Sequence, residues 1–365
     1  FQYQGEQPPQ ANHAPHGYVT AVTLPSLLCE FQVDKTLANQ IGELIGGHHG
    51  VFASNEDLNK LRKSLKKNGI YVGNSDWQKA RHDLARYLAE LLDLNLDCLK
   101  SLPSQKFDNA TVMLIAGLVS VADWTGSNTS YFHLKVKNAV TADLSRFNAA
   151  NYLRHAKKKA RKALREMGWL GWPEQREAKD FFELFPTLEQ PLPAQQAILE
   201  LAKILKTPGL VIIEEQMGAG KTEAAIALAD CWNVELGQRG IYFALPTMAT
   251  SNQMFGRVCE YLTIRFPDVD VPVYLLHGHA SLVSDFKDIR DNKARATDIH
   301  DISCDGVEGH SQCPGNLVAA DWFTYRKKGL LPPFGVGTVD QTLMAALRTS
   351  HAFVRLFGLA HKTII

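Results

Sequence analysis

Apolar residues are spaced as on helices through the first part of the chain and gather into short continuous runs through the second. Between residues 16 and 53 helical spacing runs through Leu27, Leu28, Leu37, Ile41, Leu44 and Ile45, then breaks at Gly46-Gly-His48-His49-Gly-Val-Phe52. Trp77–Leu92 carries a second amphipathic helical pattern, and Val112–Trp124 a strongly apolar one that closes in Thr125-Gly-Ser127-Asn128. Residues 151–166 predict a helix crowded with Lys157, Lys158, Lys159, Arg161 and Lys162, ended by Trp169, Trp172 and Pro173. Past the turn-rich Pro191–Gln196, a helix over Ala197–Leu205 leads into runs of strand type at Gly209–Ile213, Gly240–Thr247, Val271–Gly278 and Pro332–Asp340. Strands alternating with helices at this length predict a parallel sheet whose site lies in loops at its C-terminal edge.

The 365 residues suggest two or three domains with ample apolar material for real cores. A net charge of +1 announces no global field for nucleic acid or membrane, so any basic surface is local. Cys29, Cys98, Cys231, Cys259, Cys304 and Cys313 form no disulfide framework, which favours a reducing, cytoplasmic setting. No apolar run approaches the twenty residues of a membrane span and no signal peptide is present, so a soluble chain without a membrane partner is expected.

Two stretches carry chemistry. In Glu215-Gln-Met-Gly218-Ala219-Gly220-Lys221-Thr222-Glu223 a strand-type run ends in a glycine-bearing loop that opens a helix. Glycines let backbone amides curl around phosphates, the helix aims its positive N-terminus at them, Lys221 adds a full charge, and Thr222 reaches magnesium. The second stretch is the His48-His49 pair bracketed by glycines. An aspartate, Asp123, ends the apolar helix, and a carboxylate there needs a partner. His16, His48 and His49 are candidates for that partner through a shared metal, with surface or capping roles as the alternative; the ligand types suit manganese, iron, cobalt, nickel or zinc better than calcium. His82-Asp83 lies inside an amphipathic helix and reads as a solvated face. Residues 284–320 break the rhythm; His300, Cys304, His310 and Cys313 lack a tight Cys-x-x-Cys, so a mobile insertion is expected over a zinc site.

The order His16, Gly-His48-His49-Gly, Val-Ala-Asp123-Trp-Thr-Gly-Ser127 resembles the later metal-binding motifs of the HD-type nuclease domain in CRISPR-associated type I helicase-nucleases. Met-Gly-Ala-Gly-Lys-Thr-Glu223, Ala-Leu-Pro246-Thr247-Met-Ala-Thr, Leu-Leu-His277-Gly278 and Val-Gly-Thr338-Val-Asp340-Gln341 occur in that family's order and spacing. The resemblance covers nearly the whole chain. It implies an all-α HD-type metal-binding domain followed by an α/β RecA-like P-loop lobe with an incomplete parallel sheet. The expected division is an HD-type nuclease domain over 1–145 without its N-terminal part, a basic connector over 146–185, and the first RecA-like lobe over 186–365. Helicases place a glutamine upstream of the phosphate loop to read the adenine edge, and Gln195 is the candidate, with Gln196 beside it.

The resemblance further implies a motor that loads onto single-stranded DNA, is recruited by an RNA-guided CRISPR surveillance complex, moves with ATP and Mg2+, and cuts at a divalent transition metal (manganese, iron, cobalt or nickel). Gly218, Ala219, Gly220, Lys221, Thr222 and Glu223 would hold nucleotide; His16, His48, His49 and Asp123 would hold metal; Ser127 would act at one remove. Pro246, Thr247, Thr338, Asp340 and Gln341 would touch the DNA backbone. The family's His-Asp doublet is expected upstream of Phe1 and its acidic Asp-Glu-x-His motif after Ile365. On that reading these residues bind nucleotide without appreciable hydrolysis or nuclease activity. Three other functions stay open: a helicase with a degenerate helical cap, a small-nucleotide phosphohydrolase with a P-loop regulator, and a non-catalytic binding remnant.

Overall fold

The computed structural model describes residues 14–67, 72–128, 131–132, 148–170, 177–267, 269, 271–276, 317–318, 328–347 and 349–365. They divide into two compact units, one reaching to Ala160 and including Ser350–Phe357, the other Arg161–Thr349 with Gly358–Ile365.

The first unit is helical. Helices α1 (His16–Glu30) and α2 (Lys35–Gly46) approach backbone to backbone, because a Cβ on Gly17 would stand 2.3 Å from the Gly46 carbonyl oxygen, and one on Gly46 2.5 Å from that of Gly17. Asp34 caps α2 by accepting from Thr36 and Leu37 amides. Helix α3 (Asn55–Lys67) closes a cluster of Ala21, Val22, Leu58, Leu61 and Val72. Helix α4 (Ser75–Leu91) and a short 3-10 turn at Leu96–Ser101 follow. Val33, Leu37 and Ala38 pack with Leu99, Leu102 and Phe107, where the Gln40 side chain donates to the Phe107 carbonyl at 3.0 Å and accepts its amide at 2.8 Å. Asp108 caps α5 (Asn109–Gly126), the apolar helix that carries Asp123 near its end. Helix α6 (Ala149–Glu166) keeps its lysine-rich face exposed while Ala163 is buried.

The second unit is a sheet with helices. A short helix, α7 (Phe181–Leu184), precedes α8 (Pro193–Ile204) and α9 (Lys221–Glu235). Strands β1 (Ile241–Leu245), β2 (Val271–Leu276), β3 (Leu317–Val318), β4 (Phe334–Thr338) and β5 (Thr363–Ile364) form one parallel sheet in the order β3-β2-β4-β1-β5. Parallel strands buried on both faces read as continuous apolar runs, as in Ile241, Tyr242 and Phe243. Helix α10 (Met248–Arg265) packs against β1, β2 and β4. Asp230 of α9, wholly buried, accepts from the Lys179 amide at 3.0 Å and the Tyr261 hydroxyl at 2.8 Å, and pairs with Arg265 of α10 at 2.9 Å.

One expected element differs. Residues 209–216 belong to no helix and join no ladder. Val211 and Ile213 pack on Ile198, Ala202, Ala224, Leu228 and Trp232 of α8 and α9, while Leu210 is 86% exposed and Ile212 73%. A cavity of about 460 Å³ lies between this segment and Phe243, Thr363 and Ile364. The alternating pattern supplied one packed face, but a strand also needs a hydrogen-bonding neighbour, which pattern alone does not provide. His277-Gly278 and most of 284–320, including His300, Cys304, His310 and Cys313, lie outside the described residues; Leu317–Val318 form β3. Among the described residues no helix is long and apolar enough to cross a membrane.

Candidate functional site

His16 begins α1, and His48 and His49 follow the end of α2, so the glycine-lined approach of these helices brings three imidazoles together. The Nε2 atom of His16 lies 3.1 Å from Nε2 of His48 and 2.8 Å from Nε2 of His49. One ligand atom from each ring lies within 4.8 Å of the others, the set found among the described residues. His48 is buried, and its Nδ1 faces the Ile45 carbonyl oxygen at 2.8 Å. A carbonyl only accepts, so Nδ1 carries a proton and Nε2 is the atom available to a metal at the cluster. Gly50, at φ +103°, closes the turn by donating to the Gly47 carbonyl at 2.8 Å. Gly47 leaves room for Phe52, whose ring would lie 2.4 Å from a Cβ there.

These nitrogens fit a divalent ion. Ligands about 2.1 Å from a metal and at right angles to one another stand about 3.0 Å apart, close to the spacing of His16 from His48 and from His49. Burial, followed by the neighbouring His49 and His48 rings, holds His16 below the ordinary imidazole value, while Asp123 pulls the other way. Asp123 acts on His16 through its charge but is not within ligand distance of all three rings. The Ser127 hydroxyl donates to the Asp123 carbonyl oxygen at 2.7 Å. His82 is elsewhere, paired with Glu30 at 2.5 Å and stacked on Phe31.

Sequence reading missed Ser120. Wholly buried on α5, one turn before Asp123, it donates to the His48 carbonyl oxygen at 2.6 Å and ties the histidine turn to that helix. A lone hydroxyl on an apolar helix was the available signal.

In the second unit Gly218 (φ +84°) and Gly220 (φ +71°) shape the loop that opens α9. Lys221 donates to the carbonyl oxygens of Glu215 at 2.5 Å and Gln216 at 2.6 Å, folding across the loop. Gln195, 2% exposed, accepts from the Leu192 amide at 2.8 Å and donates to the Gly220 carbonyl at 3.1 Å, so it braces the loop. A cavity of about 500 Å³ is lined by Gln195, Gly218, Gly220, Lys221, Thr222 and Glu223, with Leu188 and Leu192 as apolar wall. Arg257 of α10 pairs with Glu223 at its rim, and no local pattern in the sequence marks Arg257. Ala219 donates its amide to the Gln216 carbonyl at 3.3 Å.

Pro246 and Thr247 follow β1, and Thr338, Asp340 and Gln341 follow β4 or sit at its end. Leu245 pairs in register with Thr338, so both groups lie at the C-terminal edge of adjacent strands. Thr247 caps α10 by accepting from the Thr250 amide at 3.2 Å; Thr338 precedes a helix over Val339–Ala346.

A helical unit with a histidine cluster and a P-loop unit with a parallel sheet, on one chain, define the class that couples an HD-type domain to a RecA-like lobe. Residues 1–132 match the family described as Cas3, HD domain. The chain is 32% identical to the CRISPR-associated endonuclease/helicase Cas3 of Thermus thermophilus over 353 residues, 96% of this chain and 35% of that protein. A solved structure, "Crystal structure of CRISPR-associated protein", is 37% identical with a TM-score of 0.75, over 98% of this chain and 37% of that one. The structure of T. fusca Cas3-ATP is 29% identical with a TM-score of 0.73, over 99% and 36%. Residues 1–132 thus match the Cas3 HD family, the chain along its length is similar to the Cas3 proteins named above, and it spans about a third of the length of the curated relatives it matches.

Proposed function

We propose that this chain is part of an ATP-dependent single-stranded DNA translocase or helicase and metal-dependent DNA nuclease that degrades invader DNA in CRISPR interference. The observation that carries this is the convergence of His16, His48 and His49 in a chain that also holds a glycine-shaped Lys221–Thr222 loop. Single-stranded DNA and an RNA-guided CRISPR surveillance complex are the proposed partners, and the cytoplasm the proposed setting.

His16, His48 and His49 would hold the ion, with Asp123 adding negative charge on the His16 side. A bound manganese, iron, cobalt or nickel ion supplies the charge that activates water and neutralises the cleaved phosphate. Ile45 keeps His48 in the tautomer that presents Nε2, and the lowered affinity of His16 for protons favours the unprotonated ring that a metal needs. In the second unit Lys221, now held by two backbone carbonyls at the start of α9, would bind phosphate oxygens, Thr222 would hold magnesium, and Gln195, which braces the loop, lines the same cavity and would face the nucleotide. Pro246, Thr247, Thr338, Asp340 and Gln341 supply contacts to a DNA backbone along one sheet edge.

The test is binding of manganese or cobalt followed by calorimetry, together with binding of a fluorescent ATP analogue. Metal binding is expected to vanish in His48→Ala and nucleotide binding in Lys221→Ala. Metal binding unchanged in His48→Ala overturns the metal assignment.

A further inference from the structure

We infer that His351, about 300 residues beyond the histidine pair, is a positioning residue for the metal centre, an inference that rests on the metal-site reading above. Ser350–Phe357 belongs to the first unit. The His351 amide donates to the Gly50 carbonyl oxygen at 3.0 Å, immediately after His48-His49. Its ring lies against the Gly50 α-carbon so closely that a Cβ there would stand 2.3 Å from Cε1 and Nδ1. The imidazole also meets Trp124, the neighbour of Asp123, with ring centroids 5.2 Å apart. The ring therefore touches both the turn that carries two ligands and the helix that carries the carboxylate.

The same segment grips both elements elsewhere. Phe353 packs on Phe52 at the far end of the turn, at 5.5 Å between centroids. Phe357 lies on Gly117 of α5, where a Cβ would meet the Phe357 Cβ at 2.4 Å. His351 is 8% exposed and holds a left-handed backbone at φ +64°, a conformation disfavoured for residues other than glycine. Ser350 Oγ lies 2.7 Å from its Nδ1 and orients the ring. Such strain persists only where the surroundings over-determine it, and here they do so at the wall of the candidate metal centre. The function of the ring is its bulk: it sets how far the His48-His49 turn stands from α5.

Cobalt titration of the full chain, followed by its visible absorption band, tests this alongside thermal unfolding of the metal-free protein. His351→Asn tolerates the left-handed backbone but lacks the ring, and it is expected to weaken cobalt binding about 10-fold or more, the range seen when supports behind ligands are removed. His351→Phe keeps the bulk and is expected to bind cobalt as the wild type does. Gly50→Ala, which pushes the ring away, is expected to behave like His351→Asn and carries the comparison if that variant unfolds. Wild-type affinity in His351→Asn or Gly50→Ala overturns the inference. So does an equal loss in His351→Phe, a changed band then marking the imidazole as a ligand itself. A wild-type chain with no cobalt band overturns the metal-site reading, and this inference with it.

Discussion

Nε2 of His16 stands 3.1 Å from Nε2 of His48, although 32 positions separate them along the chain. With His49 also 2.8 Å from His16, three imidazoles present nitrogen to nitrogen. Hydrogen bonding between rings can satisfy only part of such a cluster, and a charge on one ring opposes a charge on the next. A cation shared by three lone pairs resolves the conflict.

Metal should therefore stabilise the protein through His48. We expect manganese or cobalt to raise the unfolding temperature of the wild type, and this rise to vanish in His48→Ala. Comparing each protein with and without metal by differential scanning fluorimetry separates lost binding from lost packing. An equal rise in His48→Ala would show that other residues hold the ion.

Ser120→Ala should destabilise the first unit even without metal. It leaves the buried His48 carbonyl without its hydroxyl donor, a loss of about 1–3 kcal/mol. Urea unfolding of the metal-free variant checks this, and a midpoint equal to the wild type would contradict it.

The two glycines of the phosphate loop should not be equivalent. Gly218 has open space around a would-be Cβ and a φ of +84°, so Gly218→Ala carries only the backbone cost. At Gly220 a Cβ would also stand 2.0 Å from the Gln195 amide nitrogen, so alanine must displace the brace of the loop. Binding of a fluorescent ATP analogue should fall further in Gly220→Ala than in Gly218→Ala, by about 10-fold or more if displacing the brace adds about 1.4 kcal/mol. Equal losses would mean that Gln195 is not part of the loop's support.

Lys362 gives the second unit a pH dependence. Its side chain is half-buried, its amine donates to the Leu330 carbonyl at 2.6 Å and to that of Pro332, and desolvation pushes its pKa down to about 7 from 10.5. Between these values the unfolded chain binds more protons than the folded one, so stability from this residue rises with pH from about 7 to about 10.5. It is at its lowest below that window. Lys362→Met should flatten this slope in denaturant midpoints measured from pH 7 to 10; an unchanged slope would assign the dependence to other groups.

Much of this was legible locally. Glycine spacing before Lys221-Thr222 specifies a phosphate loop, because φ values of +84° and +71° at Gly218 and Gly220 suit no other residue as well. The apolar run ending at Asp123 specifies a helix with a half-buried carboxylate, and the glycine-bracketed His48-His49 a turn with two ligands. The runs of residues 241–245, 271–276 and 334–338 specify buried parallel strands. Periodicity shows which face of an element seeks cover, however, and says nothing of which distant element provides it. Tertiary structure alone decided that β4 lies between β1 and β2, and that residues 209–216 rest on α8 and α9 outside the ladder. It alone set His16 against His48 by letting Gly17 and Gly46 touch, and brought Ser120 and His351 to the histidine turn. Those contacts depend on close approach between segments far apart in the chain, which no window of sequence contains.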